Sequence, residues 1–346
     1  MHLVNSQQLT WWIEDIFQAS GIDESQAATI ASHLVSANLR GVDSHGISKV
    51  EVYTKRLKHG IINKELLWKV TKETPVSAAI DGGNSMGIPL ATKGMELAVQ
   101  KAKESGIGIV GIRNSNHGGM MAAYTEYAAS NDCIGLALTN APPVMAPWGG
   151  KDAFFGTNPI CYGIPTGPDN TNIVFDMATS TVAKGKIVLA EKEKRKIPIG
   201  WAITKDGKET TDPKKALDGL LLPVGGPKGY GLTFFVEVLS ALFTGAAYGP
   251  FIGSLFEDFE KEQNTGQFLF AMRADLLEEL NIFKNRMDEM ITGIRNIELM
   301  EGTDRIYLPG EIEYTLAEKR KVNGIPISEN VLKMLRDISE ELGVDH

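Results

Sequence analysis

Gly106-Ile-Gly-Ile-Val-Gly111 has the glycine spacing of a dinucleotide-binding turn, G-x-G-x-x-G. That turn works only between a strand and a following helix, where its glycines hold a pyrophosphate over the helix N-terminus. Here the order is reversed. Residues 89–105 read as a helix ahead of the glycines, and Ile107, Ile109, Val110 and Ile112 make the segment itself a strand. Gly106 then reads as a helix C-cap and its companions as points of close packing within a strand. The Rossmann reading is rejected, and the fold has to be read from the neighbouring elements.

Working outward, the pattern upstream is helical. Gln7–Ser20 and Ser25–Arg40 repeat apolar residues at three- and four-residue spacing, and Gly21 and Gly41 stop them. A third helix is expected over Gly46–His59, closed by Lys58-His59-Gly60, basic residues and then glycine. From Val76 strands and helices alternate: a strand at 76–81, the helix and strand already placed, a helix near Met120–Ser130, and strands at Cys133–Thr139, Ile160–Pro165, Ile173–Asp176 and Trp201–Thr204. Gly229–Ala247 is the most apolar stretch. Glu237 near its middle and the lack of a basic flank make it the central buried helix of a large core rather than a membrane span. A short strand at Gln267–Met272, a charged amphipathic helix at Asp275–Ile294 and closing helices at Glu311–Val322 and Ser328–Leu342 complete an α/β or α+β chain with helical ends.

Composition narrows the partners. With 346 residues, 35 Lys+Arg against 43 Asp+Glu and a formal charge of −8, the chain lacks the basic field that nucleic acid or an anionic membrane requires. Two cysteines, Cys133 and Cys161, both in apolar runs, read as buried inert thiols in a reducing compartment. The first residues lack the pattern of a secretory signal, so a cytoplasmic protein is expected. No Walker motif, H-E-x-x-H, G-x-S-x-G or paired C-x-x-C is present, and no metal site is expected.

Six histidines allow elimination. His2 and His346 are terminal, His59 has its capping role, and His33 shares a polar stripe with Gln26, Thr29, Ser36 and Arg40 that reads as solvent-facing. His117 follows Asn114-Ser-Asn between a strand and a helix. A helix N-terminus disfavours the imidazolium and leaves a neutral base, and the flanking Asn114, Ser115 and Asn116 offer hydrogen bonds to fix its tautomer. The same residues read equally well as a turn histidine capping the helix. His45 follows Asp43 and Ser44, either able to cap the next helix, and shares a face with Lys49 and roughly Tyr53. An imidazole, an ammonium and a hydroxyl converging at a helix start suit a small carboxylate with an oxygen on the adjacent carbon, and a solvated, serine-capped helix start accounts for them too.

Five ordered stretches carry a resemblance: Arg40-Gly-Val-Asp-Ser-His-Gly46, Asn116-His-Gly-Gly119, Gly156-Thr-Asn-Pro159, Phe175-Asp-Met-Ala-Thr-Ser180 and Gly226-Pro-Lys-Gly-Tyr-Gly-Leu232. Together they resemble the malate/L-lactate dehydrogenase-like family of NAD(P)-dependent oxidoreductases, which includes ureidoglycolate and sulfolactate enzymes. The resemblance spans about residues 5–342. It implies a non-Rossmann NAD(P)-binding domain with a mixed sheet over 73–300. A helical domain is then built from both chain ends, 1–72 carrying substrate and dimer contacts and 301–346 packing on it. It also implies a homodimer, a small 2-hydroxy or 2-oxo acid as substrate, and NAD, with NADP as the other choice.

Residue by residue, the resemblance makes His117 the acid/base for the substrate hydroxyl and places Ser44, His45 and Lys49 around the substrate. It assigns Asp176, Met177 and Ala178, Lys228 and Gly229, Leu308, Pro309 and Gly310, and also Asn140 and Ala141, to the cofactor. Many relatives carry arginine where this chain has Lys49, so the two-pronged contact of a guanidinium with a carboxylate is replaced by a single ammonium. A malate- or lactate-type substrate ranks first and ureidoglycolate second. A catalytically silent binding protein on the same scaffold, and a metal-dependent hydrolase using His45, His117 and Asp176, are the rival readings.

Overall fold

A computed structural model describes residues 1–345, and His346 lies outside the described residues. The chain opens with β1 (His2–Val4), α1 (Ser6–Ala19), α2 (Glu24–Leu39) and α3 (Val50–Lys58). Next come β2 (Lys69–Thr74), β3 (Ser77–Asp81), α4 (Gly87–Ser105), β4 (Ile107–Ser115), α5 (Ala122–Ser130), β5 (Cys133–Thr139), β6 (Ile160–Ile164) and β7 (Ile173–Met177). A small excursion holds α6 (Lys184–Lys192), β8 (Ala202–Ile203), α7 (Pro213–Leu217) and β9 (Leu220–Leu221). The rest is α8 (Pro227–Glu237), β10 (Thr265–Arg273), α9 (Leu280–Arg295), α10 (Glu311–Asn323), β11 (Ile325–Ile327) and α11 (Glu329–Leu342).

Seven strands form one mixed sheet in the order β2-β3-β4-β10-β5-β6-β7. Only β3 and β4 run parallel, joined by the α4 crossover, and the late strand β10 sits between β4 and β5. Alternation along β4 sends Val110 and Ile112 into a core shared with α4 and α5, while Ile109 joins Leu136, Leu138, Val236 and Phe268 on the opposite face. The three glycines that mimic a dinucleotide turn therefore have packing roles. Gly106 ends α4 with φ +90°, a Cβ on Gly108 would stand 1.9 Å from the Ala98 carbonyl oxygen of α4, and one on Gly111 would press on Thr244 from the other side.

The two chain ends meet. β1 pairs with β11, and Leu9, Ile13 and Phe17 of α1 share a core with Leu34 of α2, Leu57 of α3, and Leu332 and Leu335 of α11. Both cysteines are buried free thiols, and burial pushes both up from the usual thiol range. Among the described residues no helix is long and apolar enough to cross a membrane.

Three expectations change. The Gly229–Ala247 stretch is not one buried helix. α8 ends at Glu237, a π-helical turn follows over Val238–Leu242, and the pair lies on the sheet with its outer side uncovered. Leu232, Phe234, Phe235, Leu242 and Phe243 are exposed, because the sheet supplies apolar cover on one side only. The third helix is broken into 3-10 turns at Asp43–His45 and Ile47–Lys49 before α3 begins. Asn38 causes the break: its Oδ1 accepts the Ile47 N–H at 2.8 Å, its Nδ2 donates to Asp43 at 2.6 Å, and neither Asp43 nor Ser44 caps a helix.

His33 is the third. It is buried rather than solvent-facing, with Nε2 accepting the Met120 N–H at 2.9 Å and its ring 5.3 Å from that of Tyr124. Its stripe is polar, yet the 116–121 loop lies across it. Burial, followed by the charge of His45, pushes His33 down to about 3. Below the ordinary histidine value the unfolded chain takes up a proton that native His33 refuses, so stability falls as pH drops from 6.5 toward 3. His33 alone should remove about 2 kcal/mol between pH 6.5 and 5. Urea midpoints at both pH values would show this. His33→Gln, which keeps an acceptor for Met120, should make the dependence shallower, with His45 and His117 supplying the rest, and an equally steep variant would refute the assignment.

Candidate active site

The loop after β4 is fixed from four directions. Asn116, buried, donates to Asn84 Oδ1 and the Ser85 carbonyl, both at 2.9 Å. The His117 N–H donates to Gln263 Oε1 at 3.1 Å, Tyr124 donates to the Gly118 carbonyl at 2.5 Å, and His33 holds Met120. Asp176 Oδ2 accepts the Ala122 N–H at 2.9 Å and so caps α5 from the edge strand β7. His117 lies five residues before α5 rather than in its first turn.

His117 turns Nδ1 toward the Tyr53 hydroxyl, 2.6 Å away, and the Gly119 N–H reaches the same nitrogen at 3.3 Å. Asn114, Ser115 and Asn116 do not fix the ring as expected. Asn114 bonds Asp81, Ser115 bonds the Asn116 carbonyl, and Asn116 is used on Asn84 and Ser85. The His45 ring lies 5.5 Å from that of His117 with 24° between planes, and its Nδ1 is 3.0 Å from Ser44 Oγ. Burial first, then the positive charges of His45, Lys49 and His33, holds His117 well below the usual imidazole range. This enclosure keeps it neutral, and the helix end expected to do so lies five residues on.

Lys49 Nζ sits 4.5 Å above the Phe256 ring. Burial lowers its ammonium to about 8, with no carboxylate among the described residues raising it. His45 is lowered to about 4 by burial and then by Lys49. Phe256 reaches Lys49 because Arg56, fully buried on α3, donates to the carbonyls of Ser254 (3.1 Å), Asp258 (2.6 Å) and Lys261 (2.9 Å). Neither Gln263 nor Arg56 stands out in the sequence. Both act on backbone groups some 150 to 200 residues away, and no local pattern reports such a contact.

The stretches assigned to a cofactor are tied together by a second polar network. Ala141 N–H donates to Asn158 Oδ1 at 3.2 Å, and Asn158 Nδ2 donates to Glu237 Oε2 at 2.6 Å. Glu237 Oε1 accepts the Gly249 N–H at 2.7 Å, while burial raises its carboxyl. The hydroxyls of Thr233 and Thr179 lie 2.9 Å apart, and the Val224 N–H reaches the Thr179 carbonyl, joining α8 to the segment after Asp176, Met177 and Ala178. The Pro309 carbonyl accepts the Val174 N–H at 3.4 Å, which sets Leu308, Pro309 and Gly310 against β7. Asn140 has no free polar group, since its side chain bonds Gly266 and Ala247.

These residues fit a dinucleotide. Gly225 and Gly226 (φ +61° and +65°) lead into α8 with no side-chain cap on its first turn, a Cβ on Gly225 would meet nothing, and Lys228 and Gly229 follow within that turn. Open N–H groups beside a lysine suit a phosphate. Among the described residues no three His, Cys, Asp or Glu side chains converge as a metal site.

Residues 4–336 match the malate/L-lactate dehydrogenase family. The chain belongs to that family. It is 42% identical over 333 residues to an L-sulfolactate dehydrogenase of Methanocaldococcus jannaschii, covering 96% of this chain and 95% of the relative. It is 32% identical over 332 residues to an Escherichia coli ureidoglycolate dehydrogenase (NAD(+)), covering 96% and 94%. The crystal structure of malate dehydrogenase from Entamoeba histolytica superposes with a TM-score of 0.94 at 32% identity, covering 100% of this chain and 99% of that one. Relatives of this dehydrogenase family carry NAD(+) or NADP(+) in their names.

The Arg56 clamp is open to test. Arg56→Met should leave three carbonyls of the 254–261 segment without their donor and cost about 3 kcal/mol or more. Limited proteolysis should then cut within that segment faster than in the parent, and unchanged cleavage would show that other contacts hold it.

Proposed function

We propose that the chain is an NAD(P)-dependent dehydrogenase interconverting a small 2-hydroxy acid and its 2-oxo acid, of the malate or lactate type, as its malate and sulfolactate dehydrogenase relatives suggest. The observation carrying this reading is the half-buried Lys49 ammonium, without a carboxylate partner among the described residues, beside a neutral, half-buried imidazole on a rigid loop. An ammonium lowered by burial gains most from an arriving anion. The substrate carboxylate binds Lys49 with Ser44 or His45, and the hydroxyl on the adjacent carbon faces His117 Nε2. Nicotinamide dinucleotide, when bound, supplies the hydride acceptor or donor. His117 takes the hydroxyl proton in oxidation and returns it to the oxo oxygen in reduction. Asp176, Met177, Ala178, Lys228, Gly229, Ala141 and the 308–310 turn hold the dinucleotide, and Asn140 shapes its wall.

In this reading residues 1–72 and 301–346 form the substrate and dimer domain and 73–300 the cofactor domain. The active form is a cytoplasmic homodimer, and the exposed apolar side of α8 and its π-helical turn supports a partner surface.

The test is oxidation of NADH and NADPH, followed by absorbance, with oxaloacetate, sulfopyruvate and pyruvate, and reduction of NAD⁺ by malate, sulfolactate and ureidoglycolate. Turnover of at least one of these acids is expected, and no turnover with any of them by a folded protein overturns the proposal. His117→Asn should lower turnover by about 10²–10⁴-fold and leave NADH binding intact. Above about pH 8 the Lys49 ammonium loses its proton, so kcat/KM should decline toward tenfold per unit while kcat changes less. A flat profile there would remove Lys49 from the substrate site.

A further inference from the structure

We propose that Tyr53 is the positioning residue that lets His117 work in both directions, its hydroxyl donating to a bare Nδ1 in the free enzyme and accepting from Nδ1–H once the ring has exchanged tautomer for turnover. The inference rests on the dehydrogenase reading above and adds to it a role for a residue that faces the ring rather than the substrate.

The geometry leaves His117 two neighbours on Nδ1. One is the Gly119 peptide N–H at 3.3 Å, which can only donate. The other is Tyr53 Oη at 2.6 Å, which can donate or accept. With the ring neutral and Nδ1 bare, both donate to it and the proton sits on Nε2. That tautomer can offer a hydrogen bond to an oxo oxygen but cannot take a proton from a hydroxyl.

Oxidation requires the other tautomer. Nε2 must be bare, Nδ1 must carry hydrogen, and that N–H needs an acceptor. The Gly119 N–H cannot serve, whereas Tyr53 Oη can. When the substrate O–H breaks and its proton moves to Nε2, the ring becomes an imidazolium with both nitrogens protonated, and Nδ1–H remains on Tyr53. In reduction the Nε2 proton passes to the oxo oxygen and the ring returns to neutrality with Nδ1–H in place. Tyr53 keeps its own proton throughout. Burial pushes its phenol above the ordinary tyrosine range, which excludes a tyrosinate and leaves rotation of the O–H as the only change.

The charged and titratable groups around the ring sharpen the requirement. His33 from α2, His45 and Lys49 from the turns before α3, and Tyr53 from α3 face it. Three of the four add positive charge when protonated and none supplies an anion, and of the four it is the Tyr53 oxygen that lies within hydrogen-bond distance of Nδ1 to accept from the imidazolium. Its position is itself fixed. Tyr53 is 1% exposed and its ring packs 6.4 Å from that of Phe17, within the helical core.

The test is Tyr53→Phe, assayed in both directions across pH. Loss of the acceptor should lower kcat for oxidation by about one to two orders of magnitude with KM changed less than about threefold. It should also move the alkaline limb of the reduction profile, where His117 must hold its proton, down by about one pH unit. Equal kcat in both directions with an unmoved limb would overturn the proposal, because a residue that merely fills space shifts neither.

Nitrogen-15 NMR of histidine-labelled parent protein gives a second reading that needs no variant to fold and no substrate to turn over. With His117 assigned through His117→Asn, the free enzyme should show a hydrogen-bonded, unprotonated Nδ1. A protonated Nδ1 in the free enzyme overturns the proposal even if the dehydrogenase reading stands. An absence of dehydrogenase activity with the expected Nδ1 signal would overturn that reading and leave the Tyr53 bond to His117.

Discussion

One buried guanidinium organises the substrate end of this protein. Arg56 projects from α3 into a loop that arrives from the far side of the sheet, and it donates to three of that loop's carbonyls. A lysine could supply charge there but not the planar fork that reaches carbonyls at separate positions along a turn. With the loop held, Phe256 covers Lys49 and Gln263 grips the backbone of His117. The base, the cation and the aromatic cover thus come from three separated stretches of chain, and one buried side chain anchors the loop that brings the cover to the cation. Long loops carry function when a rigid scaffold positions them, and here the scaffold reaches out to do so.

Glu237 plays the matching part at the cofactor end. Its two oxygens accept from Gly249 and Asn158, and through Asn158 the Ala141 backbone is held as well. In the sequence that glutamate only argues against a membrane span. In the fold it explains why an acidic residue occurs in an otherwise apolar helix, since a buried carboxylate with no donors would be costly there. The apolar residues around it divide between the sheet and open surface, and no periodicity in GYGLTFFVEVLSALFTGAA separates the two sets.

The frame was legible to a useful degree, for identifiable reasons. β5 begins and ends at Cys133 and Thr139 as the alternation predicts, and the α4–β4 order that rejects the dinucleotide turn is present. His45, Lys49, Tyr53 and His117 do come together. What failed were inferences that needed a partner. The His33 stripe is polar, yet what covers it is another loop. The asparagines beside His117 are close in sequence, yet Asn84, Ser85 and Asp81 claim two of them and the adjacent carbonyl claims Ser115. A hydrogen-bonding side chain advertises capacity in the sequence, and the tertiary fold decides where that capacity is used.

The place of β10 has a consequence for how such a chain is made. β4 and β5 leave the ribosome with facing edges that pair with nothing, and residues 140–273 must follow before the strand between them is complete. Until then the centre of the sheet, rather than its rim, is an open template for pairing with other chains. A nascent chain stopped before Arg273 would lack the strand that joins the two halves of the sheet. For this architecture the hazardous interval of synthesis therefore falls late, after most of the helices and both flanking strands already exist.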